Sequence, residues 1–180
     1  MGAAGVTAEP VLWLGGAAPG GLALPPAEPN RVNLYAPRGV YVDDACIAVA
    51  DSGNHRVLLW HGWPEKDHAP ADVVLGQPDF CSEGPKWFHL PTGVAVIEGR
   101  LFVADAWHHR LLIWDRIPTA NNQPPDRVLG QPDFTRTTPN RGGAVSPLGF
   151  YWPYGFGCVR GWFYVTDTGN RRVLGWKGIP

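Results

Sequence analysis

An all-β fold assembled from a repeated four-stranded unit is predicted by three observations. Gly and Pro number 23 and 19 in 180 residues, and between them lie short runs of Val, Ile, Leu, Trp, Phe and Tyr, the pattern of many strands joined by tight turns. The heptapeptide VLGQPDF occurs twice, at 74–80 and 128–134. The same offset of 54 carries Pro37-Arg38-Gly39-Val40 onto Pro91-Thr92-Gly93-Val94, His55-Arg56 onto His109-Arg110, and Trp60 onto Trp114, so the chain is internally repetitive. A third copy follows at an offset of 62, with Pro153-Tyr154-Gly155, Asp167, Arg171-Arg172-Val173 and Trp176 in the matching places.

Each element follows from short β-branched or aromatic runs bounded by turn residues. The first copy predicts strands over 39–42, 46–50, 56–60 and 73–75, and the second over 93–97, 100–104, 110–114 and 127–129. The third predicts strands over 155–159, 162–166 and 172–176 and has no fourth. Val11-Leu12-Trp13-Leu14-Gly15 resembles Val73-Val74-Leu75-Gly76 to within a residue or so of register. It is expected to be a closing strand, in the circular permutation that seals propellers. Four units follow: 1–33 as closing strand and loop, then blades over 34–89, 90–150 and 151–180. The connection from the Gly of VLGQPDF to the next Pro-x-Gly is the variable one, 15 residues in one case and 23 in the other. Insertions confined to one connection place the variable loops on a single face.

Composition limits the partners. A hydrophobic share of 44% beside a charged share of 17% supports a packed core. A net charge of -1 supplies no general field for nucleic acid or an anionic membrane. Cys46, Cys81 and Cys158 share no CxxC spacing, so neither a disulfide framework nor a zinc knuckle is expected, and reduced thiols fit a cytoplasmic protein. No basic leader and no apolar run of membrane-spanning length is present, so neither a signal peptide nor a membrane partner is expected.

The pattern V-A-D-x-x-N-x-R-V, as Val49-Ala50-Asp51-Ser52-Gly53-Asn54-His55-Arg56-Val57, resembles an NHL repeat, and VLGQPDF resembles the repeats of many bacterial NHL proteins. The resemblance covers 34–180 and departs at His108, where the Asn should be, and at Thr166, before Asp167. It implies a β-propeller of four-stranded blades, three in this chain. Propellers close with about four to eight blades, so a homodimer, or a second propeller half, is expected.

Residues that recur in every copy are expected to be structural, because catalysis needs one unique constellation. Asp51, Asp105 and Asp167 therefore pair with Arg56, Arg110 and Arg172, each Arg gripping its Asp bidentately. Asp79 and Asp133 make turns. Trp60, Trp114 and Trp176 pack between blades, and Cys46 and Cys158 are small apolar fillers. Trp87, Trp107 and Trp152 lie on or beside the variable connections and read there as having no repeat equivalent, which makes them candidate hot spots.

In the propellers this chain resembles, the residue between Pro and Gly faces the channel mouth; here those are Arg38, Thr92 and Tyr154. NHL-like amidating lyases hold zinc with His at such positions, and none stands there. The expected function is a non-catalytic scaffold that binds a protein partner through its loop-rich face, with Arg38, Trp87, Thr92, Trp107, His108, Arg136, Arg141, Trp152 and Tyr154 as candidate contacts. No cofactor is expected. One alternative is a metal-dependent lyase or lactone hydrolase with zinc or calcium at the channel. The other is an RNA-binding NHL domain using Arg31, Arg38, Arg136 and Arg141, which Glu28 and Glu83 oppose on the same loops.

Overall fold

The computed structural model describes residues 10–16 and 28–180. Among these, three antiparallel sheets of four, four and three strands account for the regular structure, and no α-helix occurs. The first sheet holds β1 (Gly39–Val42), β2 (Cys46–Asp51), β3 (Arg56–His61) and β4 (Val73–Leu75). The second holds β5 (Gly93–Ile97), β6 (Arg100–Asp105), β7 (Arg110–Trp114) and β8 (Arg127–Leu129). The third holds β9 (Pro153–Val159), β10 (Trp162–Asp167) and β11 (Arg172–Lys177). Sequential strands are neighbours throughout, so each sheet is a meander closed by local turns. No helix of the described residues is long and apolar enough to cross a membrane.

The sheets pack in series, face against face, as in an arc of a propeller. Ala48, Ala50, Val57, Leu59 and Leu75 of the first meet Val94, Leu101, Val103, Leu112 and Trp114 of the second. One joint further on, Phe102, Leu111 and Ile113 meet Phe163, Val165, Leu174 and Trp176. These are the same repeat positions. The alternation that a strand imposes therefore gives each sheet one face for the sheet before and one for the sheet after, and β2 and β7 are buried on both. Trp114 and Trp176 sit in these layers as expected, whereas Trp60 packs on the opposite face of the first sheet beside Leu14, Leu34, Ala69 and Phe80 rather than between two sheets.

VLGQPDF ends the outer strand. Gly76 and Gly130 have φ of +85° and +94°, and a Cβ on either would overlap the buried ring of Phe88 or Phe150. Glycine is required there by backbone and by space. Cys46 is buried, but Cys158 is exposed at the end of β9 beside exposed Val159. The reading of Cys158 as a filler is thereby corrected, since no side chain of the described residues covers that corner of the third sheet.

The segment 11–14, expected as a strand, has no ladder partner among the described residues. It nevertheless keeps the bonds of an outer strand. Trp13 N donates to Asp67 Oδ1 and His68 N donates to Trp13 O, as Val74 N donates to Asn121 Oδ1 and Asn122 N to Val74 O one repeat later. Residues 1–9 and 17–27 of the N-terminal unit lie outside the described residues.

Candidate interaction face

In a four-stranded meander the turn between second and third strands and the connection to the next sheet emerge at the same end. The three short 3-10 turns (Ser52–Asn54, Ala106–His108, Thr168–Asn170) and the connections over 76–92 and 130–152 therefore share one face. The Asp–Arg pair fixes it. Asp51, Asp105 and Asp167 are buried; Oδ1 accepts from the backbone N–H of Tyr35, His89 and Tyr151 at 2.6, 2.7 and 2.7 Å. Oδ2 accepts Arg Nε at 2.7, 2.8 and 2.8 Å.

The guanidinium does not grip the carboxylate bidentately, which corrects that expectation. Its other nitrogens reach loop carbonyls. Arg56 Nη2 donates to Asn33 O and Nη1 to Phe80 O. Arg110 Nη2 donates to Trp87 O and Nη1 to Phe134 O, and Arg172 Nη2 donates to Ser146 O and Gly149 O. At each sheet two orphan carbonyls on irregular backbone need donors, and one planar fork held by a buried carboxylate supplies them. Gln77 and Gln131 of the heptapeptide add Nε2 bonds to the carbonyls of residues 54, 55 and 84, and of 108, 109 and 138. Asp79 and Asp133 accept from backbone N–H two and three residues on, the turn role expected of them.

On this framework the middle copy departs from its neighbours. Repeat alignment puts Tyr35, His89 and Tyr151 at one position, Gly53, Trp107 and Gly169 at a second, and Asn54, His108 and Asn170 at a third. In the outer copies the Tyr ring lies against the Gly so closely that a Cβ would collide with it. In the middle copy Trp107 replaces that Gly, and the facing ring is the smaller imidazole of His89. The three changed residues touch: His89 lies 5.7 Å from Trp107 and 5.5 Å from His108, centroid to centroid. His55 adds a contact at 5.3 Å, Trp107 meets Trp152 at 5.3 Å, and Trp152 meets Tyr151 at 4.5 Å. A stripe of rings thus crosses from the first sheet to the third.

Hydrogen bonds set the polarity of this stripe. Leu90 N donates to His55 Nδ1 and Trp152 N to His109 Nδ1, so each neutral ring carries its proton on Nε2. His108 Nδ1 faces Asp105 Oδ2 at 2.9 Å, so that nitrogen carries a proton and donates to the carboxylate. Burial, then repulsion from His108, pushes His109 down to about 4. Burial, followed by neighbouring imidazoles, also holds His55 and His89 below the ordinary histidine value. No cluster of three or more His, Cys, Asp or Glu among the described residues has metal-holding geometry. Beside the stripe, Glu28 and Glu83 line a cleft of about 440 Å³ with His55 and Tyr35.

The predicted contacts separate accordingly. Trp107, His108 and Trp152 fall within the stripe. Exposed Trp87 lies apart from it, with its carbonyl on Arg110. Contrary to expectation, all three Trp have repeat equivalents: Trp87 matches Asn33 and Gly149, and Trp152 matches Ala36 and Leu90. Arg38, Thr92 and Tyr154 open the inner strands, where Thr92 Oγ1 donates to Tyr154 O at 2.9 Å. Arg136 is exposed, and Arg141 Nη2 reaches Gln131 O at 3.5 Å. Arg31 is held by Ala71 O and the Phe80 ring. His55, His89 and Tyr151 were not among the candidates; the alignment columns at 35, 89 and 151 and at 53, 107 and 169 carried the signal.

No curated protein matches the chain. The family model of the NHL repeat matches residues 88–114, the span that runs from Phe88 through β5, β6 and β7 and includes His89, Trp107 and His108. In its second sheet, therefore, the chain carries an NHL repeat.

Proposed function

We propose that the chain is a non-catalytic propeller module that binds a protein partner on its loop face, centred on Trp107 and Trp152. The observation that carries this reading is the departure of one repeat at three mutually touching positions. Tyr, Gly and Asn satisfy the fold in the outer copies, so His89, Trp107 and His108 answer to something other than the fold. Exposed aromatic rings on a rigid base are the side chains that dominate protein interfaces. The imidazole of His55, held neutral by burial, adds an Nε2 donor edge without a charge to desolvate. The carboxylates of Glu28 and Glu83 in the adjoining cleft favour a partner that brings a basic side chain, and they oppose a phosphate backbone.

The test reverts the middle copy to its neighbours. His89→Tyr/Trp107→Gly/His108→Asn installs residues that the first and third copies already accommodate, so the fold is expected to persist. A partner captured by the native chain is purified and its Kd measured against both proteins. Loss of a central Trp anchor is expected to raise Kd roughly 30-fold or more, whereas Arg127→Ala on the outer strand leaves it unchanged. Equal binding by the reverted protein would overturn the assignment of this face.

A further inference from the structure

We propose that His109 is the positioning residue of the loop face: its neutral ring holds Trp152 against Trp107, and binding of the partner requires that ring uncharged. The inference rests on the reading of Trp107 and Trp152 as the anchors of that face, and it names the side chain that fixes one relative to the other. The two anchors belong to different sheets. Trp107 lies in the 3-10 turn Ala106–His108 between β6 and β7 of the second sheet, and Trp152 directly precedes β9 of the third. Their rings meet at 5.3 Å, so the pair exists only while the joint between these sheets keeps its geometry.

His109 reaches both anchors. Its backbone N–H donates to Ala106 O at 3.1 Å and closes the turn that carries Trp107. Its side-chain Nδ1 accepts the N–H of Trp152 at 3.2 Å. Trp152 has φ of +54°, a left-handed conformation uncommon for an aromatic residue. A bond from each sheet holds it there: His109 Nδ1 from the second, and from the third the N–H of Thr168, which donates to Trp152 O at 3.2 Å. His109 is 7% exposed, and its ring stands edge-on to Tyr151 at 5.2 Å; Tyr151 in turn packs on Trp152. The preceding joint is built the same way. His55, left-handed at φ of +53°, accepts on Nδ1 at 3.1 Å the N–H of Leu90, whose φ is +51°. There the residue held is aliphatic, whereas the second joint holds a Trp of the stripe.

The bond exists only with an unprotonated Nδ1, because a proton there sets one donor against another. The groups around the ring are His108, His89 and Asp105 from the second sheet and Asp167 and Tyr151 from the third. Both carboxylates are already engaged, Asp105 by His89 N, His108 and Arg110, and Asp167 by Tyr151 N, Asn170 and Arg172. A cation on His109 therefore gains little from them. Burial, then repulsion from His108, keeps the ring neutral down to about 4. Protonation releases Trp152 from the second sheet and parts the two anchors.

Nuclear magnetic resonance of the isotope-labelled native chain tests the bond without a partner. At neutral pH His109 is expected to carry its proton on Nε2, and on acidification the Trp152 amide signal is expected to move with the His109 ring at a shared midpoint of about 4. A proton on Nδ1 at neutral pH, or a Trp152 signal indifferent to the ring, overturns the proposal whether or not any variant folds. His109→Ala removes the acceptor and is expected to speed hydrogen exchange at the Trp152 amide about 10-fold. His109→Asn supplies an acceptor oxygen, suits the left-handed backbone, and is expected to restore native exchange. The Kd of the purified partner is read on the same proteins: about 5–10-fold weaker for His109→Ala, recovered in His109→Asn, and weakening more steeply toward acid in the native chain than in His109→Asn. If the His89→Tyr/Trp107→Gly/His108→Asn reversion weakens binding and His109→Ala does not, the face stands and the role of His109 falls. If neither weakens it, both fall.

Discussion

Replacing Arg56 by Met isolates what the buried ion pair contributes. Arg56 and Asp51 are both 0% exposed, with Nε 2.7 Å from Oδ2. Met fills a similar volume but leaves the carboxylate to the N–H of Tyr35 and the Asn54 amide, and it strips donors from the carbonyls of Asn33 and Phe80. Removing one partner of a buried pair costs about 3–5 kcal/mol. The two loop carbonyls recover part of their loss from water, so a total of about 4 kcal/mol is expected, a large share of the ~5–15 kcal/mol of a typical domain. The matched control is Arg127→Met, which breaks the contact of Arg127 Nε with Asp115 Oδ1 at 3.1 Å where both side chains are open to solvent; exposed pairs contribute about 0–1 kcal/mol. Arg56→Lys keeps the charge but loses the fork, and is expected to fall between them. Urea unfolding at constant protein concentration, followed by tryptophan fluorescence, reads all three, with an unchanged m-value as the condition for comparison. If Arg56→Met and Arg127→Met cost the same, burial does not give this pair its strength.

Acidification is expected to destabilise the fold through His109. Its folded value of about 4 lies below the ordinary 6.5, so the unfolded chain binds the proton first. Stability is then intact above about pH 6.5 and falls by about 3 kcal/mol as the pH drops to about 4. His109→Asn, which keeps an acceptor for Trp152 N, should flatten that slope in unfolding curves taken across the range. Gly84→Ala and Gly76→Ala start from the same φ of +85°, but a Cβ at Gly84 meets nothing within 4 Å while one at Gly76 overlaps Phe88. The first is expected to cost about 1 kcal/mol from backbone alone, and the second about 1–3 kcal/mol more; similar melting temperatures would show that the ring yields freely.

Strand positions are legible because each is bounded by turn residues and repeated at fixed distance. The exceptions are 11–14, which has no ladder partner among the described residues, and β9, which begins at Pro153 because its ladder with β10 shifts register between Thr166 and Asp167, an irregularity with no side-chain signature. The partners of the Arg residues are not legible. Asn33, Phe80, Trp87 and Phe134 contribute only carbonyl oxygens, and any residue type carries one. Cys158 was misread because strand alternation tells which way a side chain points but not whether a neighbouring sheet reaches that far. The stripe of rings needs two pieces of information together. The alignment shows that His89 and Trp107 are exceptional within the repeat, and only the closeness of Tyr35 to Gly53, which leaves no room for a Cβ, explains why they change as a pair.

The forked contacts of Arg56 and Arg110 also define where this scaffold can be rewritten. The loop after the first heptapeptide leaves the sheet at Phe80, whose carbonyl is bound to Arg56, and returns at Trp87, whose carbonyl is bound to Arg110. The next loop leaves at Phe134, bound to Arg110, and returns at Gly149, bound to Arg172. Both feet of each loop are thus fastened to different sheets, and the difference in length between the two connections falls wholly between the fastenings. Because lengthening a loop adds only about 0.6 kcal/mol per doubling, foreign sequence spliced between Ser82 and Glu83 or between Gly143 and Ala144, clear of the carbonyls held by Gln77, Gln131 and Arg172, should be displayed without loosening the sheets beneath. The chain is built as a platform with two sockets.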